Sequence, residues 1–129
     1  MEIKEVKNIK ISDAAEVYKI FNYLSKEEQE LFLTISLDTK NRIINAQISA
    51  IGTLNSSTIH PRDVFREAIR NNANTIIILH NHPSGDCSPS HEDKNVTKKL
   101  IEIGKLLEIK ILDHIIIGKD KYWSWRYES

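Results

Sequence analysis

The sequence predicts a single α/β domain in which helices flank a mixed β-sheet. In the middle of the chain, short β-branched runs alternate with segments whose apolar residues recur at helical spacing. A hairpin pattern precedes this region, and a second one follows it, which adds antiparallel strands to the sheet. The 129 residues are enough for one domain with a buried core, so we expect a single domain over residues 1–129.

The first half of the chain predicts a helix followed by a β-hairpin. The segment ISDAAEVYKIFNYL has its apolar residues on one broad face, and Ser12 or Asp13 can cap its start. Residues 31–38, LFLTISLD, predict a strand. The turn residues DTKN then lead into RIINAQISAIG, which predicts the partner strand.

The second half predicts two helices around a central strand. Pro61 suits the first turn of one helix, and the other helix begins after Ser90. Between them, TIIIL is a continuous β-branched run, which predicts a strand covered on both faces. The residues expected to face the core are Val64, Phe65, Ala68 and Ile69 in the first helix, and Val96, Leu100, Ile103 and Leu107 in the second.

Two further strands are predicted at the end of the chain, in IKILDHIIIG and KYWSW. Tyr122, Trp123 and Trp125 would alternate on the last strand, where sheet packing explains aromatic residues better than base stacking does. An edge strand of this kind can pair with a second copy, so a homo-oligomer is one open expectation.

Composition restricts the classes of function. Eighteen basic residues balance eighteen acidic ones, so bulk charge gives no argument for direct DNA binding or for an anionic membrane. The single cysteine, Cys87, excludes an intrachain disulfide and a cysteine-rich zinc cluster, and it fits a reducing compartment. We see no leader and no apolar run of membrane-spanning length, so the expected location is the cytoplasm.

The stretch LHNHPSGDCSPSHED contains three of the five histidines. His80 and His82 follow an apolar strand, and if the extended backbone continues, both side chains point to the same side. The turn PSGDCSPS can bring Asp93 back toward them. Two histidines and one carboxylate suit a catalytic zinc ion, which keeps a fourth position for water.

An ordinary structural interpretation of the same stretch stays open. Ser90 and Asp93 have capping-box spacing, and a turn-rich loop before a helix is common. The two interpretations are compatible, because a hydroxyl can accept one hydrogen bond while donating another. Asp86, Glu92 and Cys87 are rival ligands by proximity.

The string His80-Asn81-His82-Pro83-Ser84-Gly85, with Pro89-Ser90 and Asp93 after it, closely resembles the signature of the RadC family. That family belongs to the JAB/MPN group of metal-dependent isopeptidases, which carry the JAMM motif. The segments LDTKN, GTLNSS, HPRDVFREAI and LDHIIIG also resemble RadC segments in RadC order. The resemblance implies a cytidine-deaminase-like three-layer architecture.

Roles for individual residues follow from this resemblance. It implies that His80, His82 and Asp93 bind Zn²⁺ and that Ser90 helps to hold the tetrahedral intermediate. It matches Glu30 to the glutamate that carries protons, with Glu27 and Glu28 as close alternatives. The implied activity is zinc-dependent hydrolysis of a peptide or isopeptide bond.

Other functions remain as alternatives. RadC-like proteins are labelled as DNA-repair factors, but typical members carry a helix-hairpin-helix region, and we expect none here. A binding module with an inactive metal site is a second alternative. A zinc deaminase is disfavoured because the Pro-Cys-x-x-Cys ligand pair is absent. Asp113 and His114, inside an apolar strand, either orient a ligand histidine or form a satisfied core pair.

Overall fold

A five-stranded sheet forms the centre of the computed structural model, which describes residues 3–128, so both ends of the predicted domain range lie outside the described residues. The strands are β1 Leu31–Leu37, β2 Ile43–Ile51, β3 Thr75–Asn81, β4 Lys110–Ile117 and β5 Tyr122–Ser124. Their order across the sheet is β2-β1-β3-β4-β5. Only the β3–β4 pair is parallel among these strands. A mixed sheet flanked by helices confirms the predicted fold class.

Four α-helices accompany the sheet within the described residues: α1 Ala14–Phe21, α2 Pro61–Arg70, α3 His91–Leu107 and α4 Trp125–Glu128. A 3-10 turn at Asn22–Lys26 continues α1. The side chain of Asp13 caps α1 by accepting from the Glu16 N–H at 2.9 Å. Pro61 opens α2, as predicted, because its missing N–H has no partner to lose in a first turn.

The sheet separates two apolar cores. Along β3, Ile77 and Leu79 pack on the face that α1 covers, whereas Ile76 and Ile78 pack on the face that α2 and α3 cover. Every residue of β3 is buried, so the predicted central strand is confirmed. His80 continues the second series and therefore lies on the α3 side of the sheet.

Three predicted core or strand positions are wrong. Ile69 in α2 is 54% exposed and Leu107 in α3 is 41% exposed, because each lies at the edge of its helix's buried face. Trp125 does not belong to the last strand, which ends at Ser124. Asp113 accepts from Ser124 Oγ at 2.6 Å and from the Arg126 N–H at 3.0 Å, and these bonds turn the chain into α4.

Within residues 3–128, no helix combines the length and the apolar character that crossing a membrane requires.

Candidate metal centre

The two histidines of the motif lie at the end of β3, next to β4. His80 is the penultimate residue of β3 and is 1% exposed. The strand ends at Asn81, but the His82 N–H still donates to the Ile117 carbonyl of β4 at 2.9 Å. This bond keeps His82 aligned with the sheet, so both imidazoles point to the same side, as the spacing predicts.

Asp93 reaches the same point from the first turn of α3. Ser90 is the N-cap, and its Oγ accepts from the Asp93 N–H at 3.0 Å. Asp93 Oδ2 accepts in return from the Ser90 N–H at 2.8 Å, which completes a capping box. The capping interpretation is therefore correct, and the capping carboxylate is the one that meets the histidines.

The ligand atoms converge closely. His80 Nε2 lies 3.1 Å from His82 Nε2 and 3.2 Å from Asp93 Oδ1. His82 Nε2 lies 3.1 Å from Asp93 Oδ2. In a tetrahedral site with zinc–ligand bonds of about 2.0–2.1 Å, neighbouring ligand atoms stand about 3.4 Å apart. These three side chains therefore fit a zinc ion with small adjustments, and they could hold a metal.

The hydrogen bond at Nδ1 of His82 leaves Nε2 of the neutral ring with a free lone pair. His82 Nδ1 lies 2.8 Å from the Asp86 carbonyl oxygen, which can only accept. Nδ1 therefore carries the proton of the neutral ring, and Nε2 faces Asp93 as an acceptor. An acceptor nitrogen aimed at a carboxylate is the arrangement that a bound cation satisfies.

The cluster attracts positive charge. Burial would raise the pKa of the Asp93 carboxyl, but the imidazoles of His80 and His82 beside it hold that pKa well below the usual range. Burial opposes a charge on His82, yet Asp93 and the Asp86 carbonyl raise the pKa of this ring above its usual value. Both shifts reflect a carboxylate that faces two imidazoles, an arrangement that favours a nearby positive charge.

The loop between the ligands depends on two glycines. Gly85 has φ of +91°, a conformation that other residues rarely adopt, and its carbonyl accepts from the Lys119 N–H at 2.8 Å. A Cβ at Gly118 would collide with that same carbonyl. This close approach fixes the loop that presents the Asp86 carbonyl to His82.

Glu30 lies beside the cluster, immediately before β1. It is half-buried, and its charge helps to raise the pKa of His82. A shallow cavity of about 390 Å³ adjoins the motif and is lined by Glu28, Gln29, Glu30, Gly52, Thr53 and Pro83. The role of Glu30 as proton carrier stays a prediction. Of the alternatives Glu27 and Glu28, Glu28 also lines this cavity.

Asn81 ties the Glu30 segment to β3, the strand that carries His80. Its side chain is fully buried, accepts from the Leu31 N–H at 2.7 Å and donates to the Gln29 carbonyl at 3.0 Å. The Glu30 carbonyl also accepts from the Gly52 N–H at 2.9 Å. Three consecutive residues are thus fixed, with Glu30 at their centre. Asn81 was not predicted from the sequence, although its place between the two candidate ligand histidines was a signal.

Ser90 and the three rival ligands differ in where their side chains lie. Ser90 is exposed and hydrogen-bonded to Asp93, and its role toward a tetrahedral intermediate stays a prediction. The Asp86 carboxylate accepts from the Ser88 N–H at 2.9 Å, and that bond lowers its pKa, so this residue serves the site through its carbonyl. Glu92 is exposed, and Cys87 is a half-buried free thiol. Neither belongs to the described cluster of ligand atoms.

Asp113 and His114 have different roles. His114 Nε2 lies 2.9 Å from His80 Nδ1, and burial keeps the pKa of His114 well below its usual value. Asp113 instead binds Ser124 and the start of α4, and burial raises its pKa. The Phe32 ring stacks on His80 with centroids 5.8 Å apart. One of the two predicted partners therefore contacts a candidate ligand.

Fold and site together define an α/β domain with a His-x-His and Asp cluster at the end of a central strand. The sequence model of the RadC-like JAB domain family matches residues 11–129 of this chain. The chain belongs to this family, as the motif resemblance predicted.

Three of the similar proteins are UPF0758 proteins. A UPF0758 protein of Methanosarcina mazei is 49% identical over 121 residues, which cover 93% of this chain and 53% of the relative. A UPF0758 protein of Clostridium perfringens is 45% identical over 124 residues, covering 95% of this chain and 55% of the relative. A UPF0758 protein of Bacillus cereus is 56% identical over 97 residues, which cover 75% of this chain and 43% of the relative. The chain thus spans about half the length of the curated relatives it matches.

Proposed function

We propose that this chain is a metal-dependent hydrolase of the JAMM type that uses Zn²⁺ to cleave a peptide or isopeptide bond. The single observation that supports this most is the convergence of His80 Nε2, His82 Nε2 and the two carboxylate oxygens of Asp93, with contacts of 3.1–3.2 Å. Two neutral nitrogens and one carboxylate match the ligand set of catalytic zinc sites, which keep a position open.

A zinc ion bound there would supply a more acidic water molecule and a polarised carbonyl. The residues of the chain supply the rest of the reaction. Glu30 accepts a proton from the attacking water molecule while the water oxygen forms a bond to the scissile carbonyl carbon. Glu30 then delivers that proton to the leaving amine as the C–N bond breaks.

The developing negative charge on the carbonyl oxygen needs a donor. Ser90 Oγ accepts from the Asp93 N–H at 3.0 Å and keeps its own proton free for this purpose. The capping box fixes the hydroxyl relative to Asp93, so the donor and the ligand move together. Ser90 therefore combines a structural contact with a catalytic one.

Asn81 supports Glu30 without touching the reacting atoms. Its two hydrogen bonds hold the backbone on either side of Glu30, while its own backbone joins the two ligand histidines. The distance between proton carrier and cluster is therefore set by one side chain. Asn81 is a positioning residue in this scheme.

The test is metal analysis combined with a substrate screen. Purified chain reconstituted with zinc is assayed against a panel of linear peptides and lysine-linked isopeptides, with His80→Ala as the control. We expect one zinc per chain, cleavage of at least one class, and loss of both in His80→Ala. One equivalent of zinc with no cleavage of either class would contradict the hydrolase and favour a metal-containing binding module.

A further inference from the structure

A continuous series of hydrogen bonds joins His80 to helix α3. His80 Nδ1 lies 2.9 Å from His114 Nε2, and His114 Nδ1 is hydrogen-bonded to Thr97 Oγ1. Thr97 Oγ1 in turn lies 2.9 Å from the Asp93 carbonyl oxygen. The series begins on the ring of one proposed ligand and ends on the backbone of another.

The donor and acceptor of each hydrogen bond in this series follow from the Asp93 carbonyl oxygen at its end. A carbonyl oxygen can only accept, so Thr97 donates its single hydroxyl proton to Asp93. The Thr97 oxygen must then accept from His114 Nδ1–H. Since His114 and Thr97 are each 1% exposed, a charged ring would be costly here, and neutral His114 presents a bare Nε2. That nitrogen accepts from His80 Nδ1–H.

We infer that Thr97 and His114 are positioning residues that fix the tautomer of His80. With its proton held on Nδ1, His80 presents the lone pair of Nε2 to His82 and Asp93, as metal coordination requires. The inference deepens the proposed function and rests on its metal site, but it does not require that the site hydrolyse anything.

The arrangement fixes the position of the ring as well as its proton. His80 is stacked on Phe32 and bonded to His114, so its plane is set before any ion arrives. Because Thr97 lies one helical turn after Asp93, the same helix carries a ligand and the end of this series. Hydrogen-bond partners of ligand histidines typically change metal affinity by about 10–100-fold when removed.

The first test measures zinc affinity by competition with a chromophoric chelator. Thr97→Val keeps the shape of the side chain but removes the hydroxyl, and Thr97→Ser is its matched control. We expect Thr97→Val to raise the Kd for zinc about 10-fold or more and His114→Leu to raise it about 10–100-fold. Thr97→Ser and His114→Gln should stay near the wild type, because each retains a donor and an acceptor.

The second test reads the tautomer directly. Ring ¹⁵N NMR of the metal-free wild type should place the His80 proton on Nδ1, and Thr97→Val should weaken that preference. A purely structural role would lower unfolding midpoints without moving this signal. A His80 proton on Nε2 in the wild type, or an unchanged zinc Kd in folded Thr97→Val, overturns the inference.

The outcomes separate this inference from the proposed function. Zinc binding that weakens in Thr97→Val without any hydrolysis by the wild type rejects the hydrolase and supports the positioning role. Hydrolysis with an unchanged Kd in Thr97→Val supports the hydrolase and rejects the positioning role. A wild type that binds no zinc rejects both.

Discussion

His80 Nε2 and Asp93 Oδ1 approach to 3.2 Å, although one residue lies near the end of a β-strand and the other in the first turn of a helix. The capping box at Ser90 produces this contact, because the carboxylate that satisfies the start of α3 also faces the histidines. Formation of the helix start and assembly of the cluster are therefore coupled. Substitutions at Asp93 can separate the two effects.

Asp93→Asn should lose zinc while keeping most of its stability. The amide oxygen can still accept from the Ser90 N–H, but the negative charge that attracts a cation is gone. Asp93→Ala should lose zinc and also about 0.5–2 kcal/mol of stability, since the capping bond disappears. Metal analysis and urea unfolding of the metal-free variants measure the two effects. Stoichiometric zinc in Asp93→Asn contradicts the assigned role.

Glu30→Gln should lower the turnover number about 10²–10⁴-fold while leaving zinc content unchanged. The amide has almost the same shape but cannot accept and return a proton. Glu28→Gln is the matched control, because Glu28 lines the same cavity and is exposed. If Glu28→Gln loses turnover and Glu30→Gln keeps it, Glu28 is the proton carrier.

Asn81→Ala should reduce turnover only when Glu30 is present. Its loss frees the backbone on both sides of Glu30, and it leaves the Leu31 N–H without its acceptor. In a Glu30→Gln background the same change should lower the rate little further, as expected for residues that act as one unit. Equal losses in both backgrounds would show a general folding defect instead.

Ser90→Ala should lower turnover about 100-fold or more through the lost oxyanion donor. It should also cost about 1 kcal/mol of stability, because the Asp93 N–H loses its cap. Ser90→Thr keeps both functions and serves as the control. Steady-state rates and denaturation midpoints measured on the same preparations distinguish the two losses, and a variant with full turnover excludes the donor role.

Asp113→Asn should remove one component of the pH dependence of stability. Burial raises the folded-state pKa of Asp113 above its usual value of 3.8, so folding favours its protonated form. Its contribution is therefore complete below about pH 3.8 and declines as pH rises through the higher folded-state value. Urea unfolding from pH 4 to pH 7 should show that the wild type loses stability relative to Asp113→Asn. A constant difference would contradict the shift.

The fold was largely predictable because apolar periodicity and turn residues agree with the tertiary structure. β3 is a continuous β-branched run, and Pro61 and Asp13 mark helix starts by local chemistry. Trp125 was placed wrongly because its alternation with Trp123 imitates a strand. The contacts that turn this segment into α4 come from Asp113, which is distant in sequence.

The cluster of His80, His82 and Asp93 was predictable from spacing and resemblance, but the residues that support it were only partly so. Thr97 was missed because its bond to His114 crosses from a helix to a strand, and register between elements cannot be read from one sequence. Its position four residues after Asp93 was the available signal, since such residues share a helix face. His114 was identified correctly as a residue that needs a partner, whereas Asp113 serves α4.

The most direct test of the metal site is a crystal structure of the wild-type chain grown with zinc, supported by metal analysis of the same protein. It should show one ion bound by His80 Nε2, His82 Nε2 and Asp93 Oδ1, with a water molecule at the fourth position. An ion bound elsewhere, or a saturated preparation in which these three atoms hold no metal, would contradict the account.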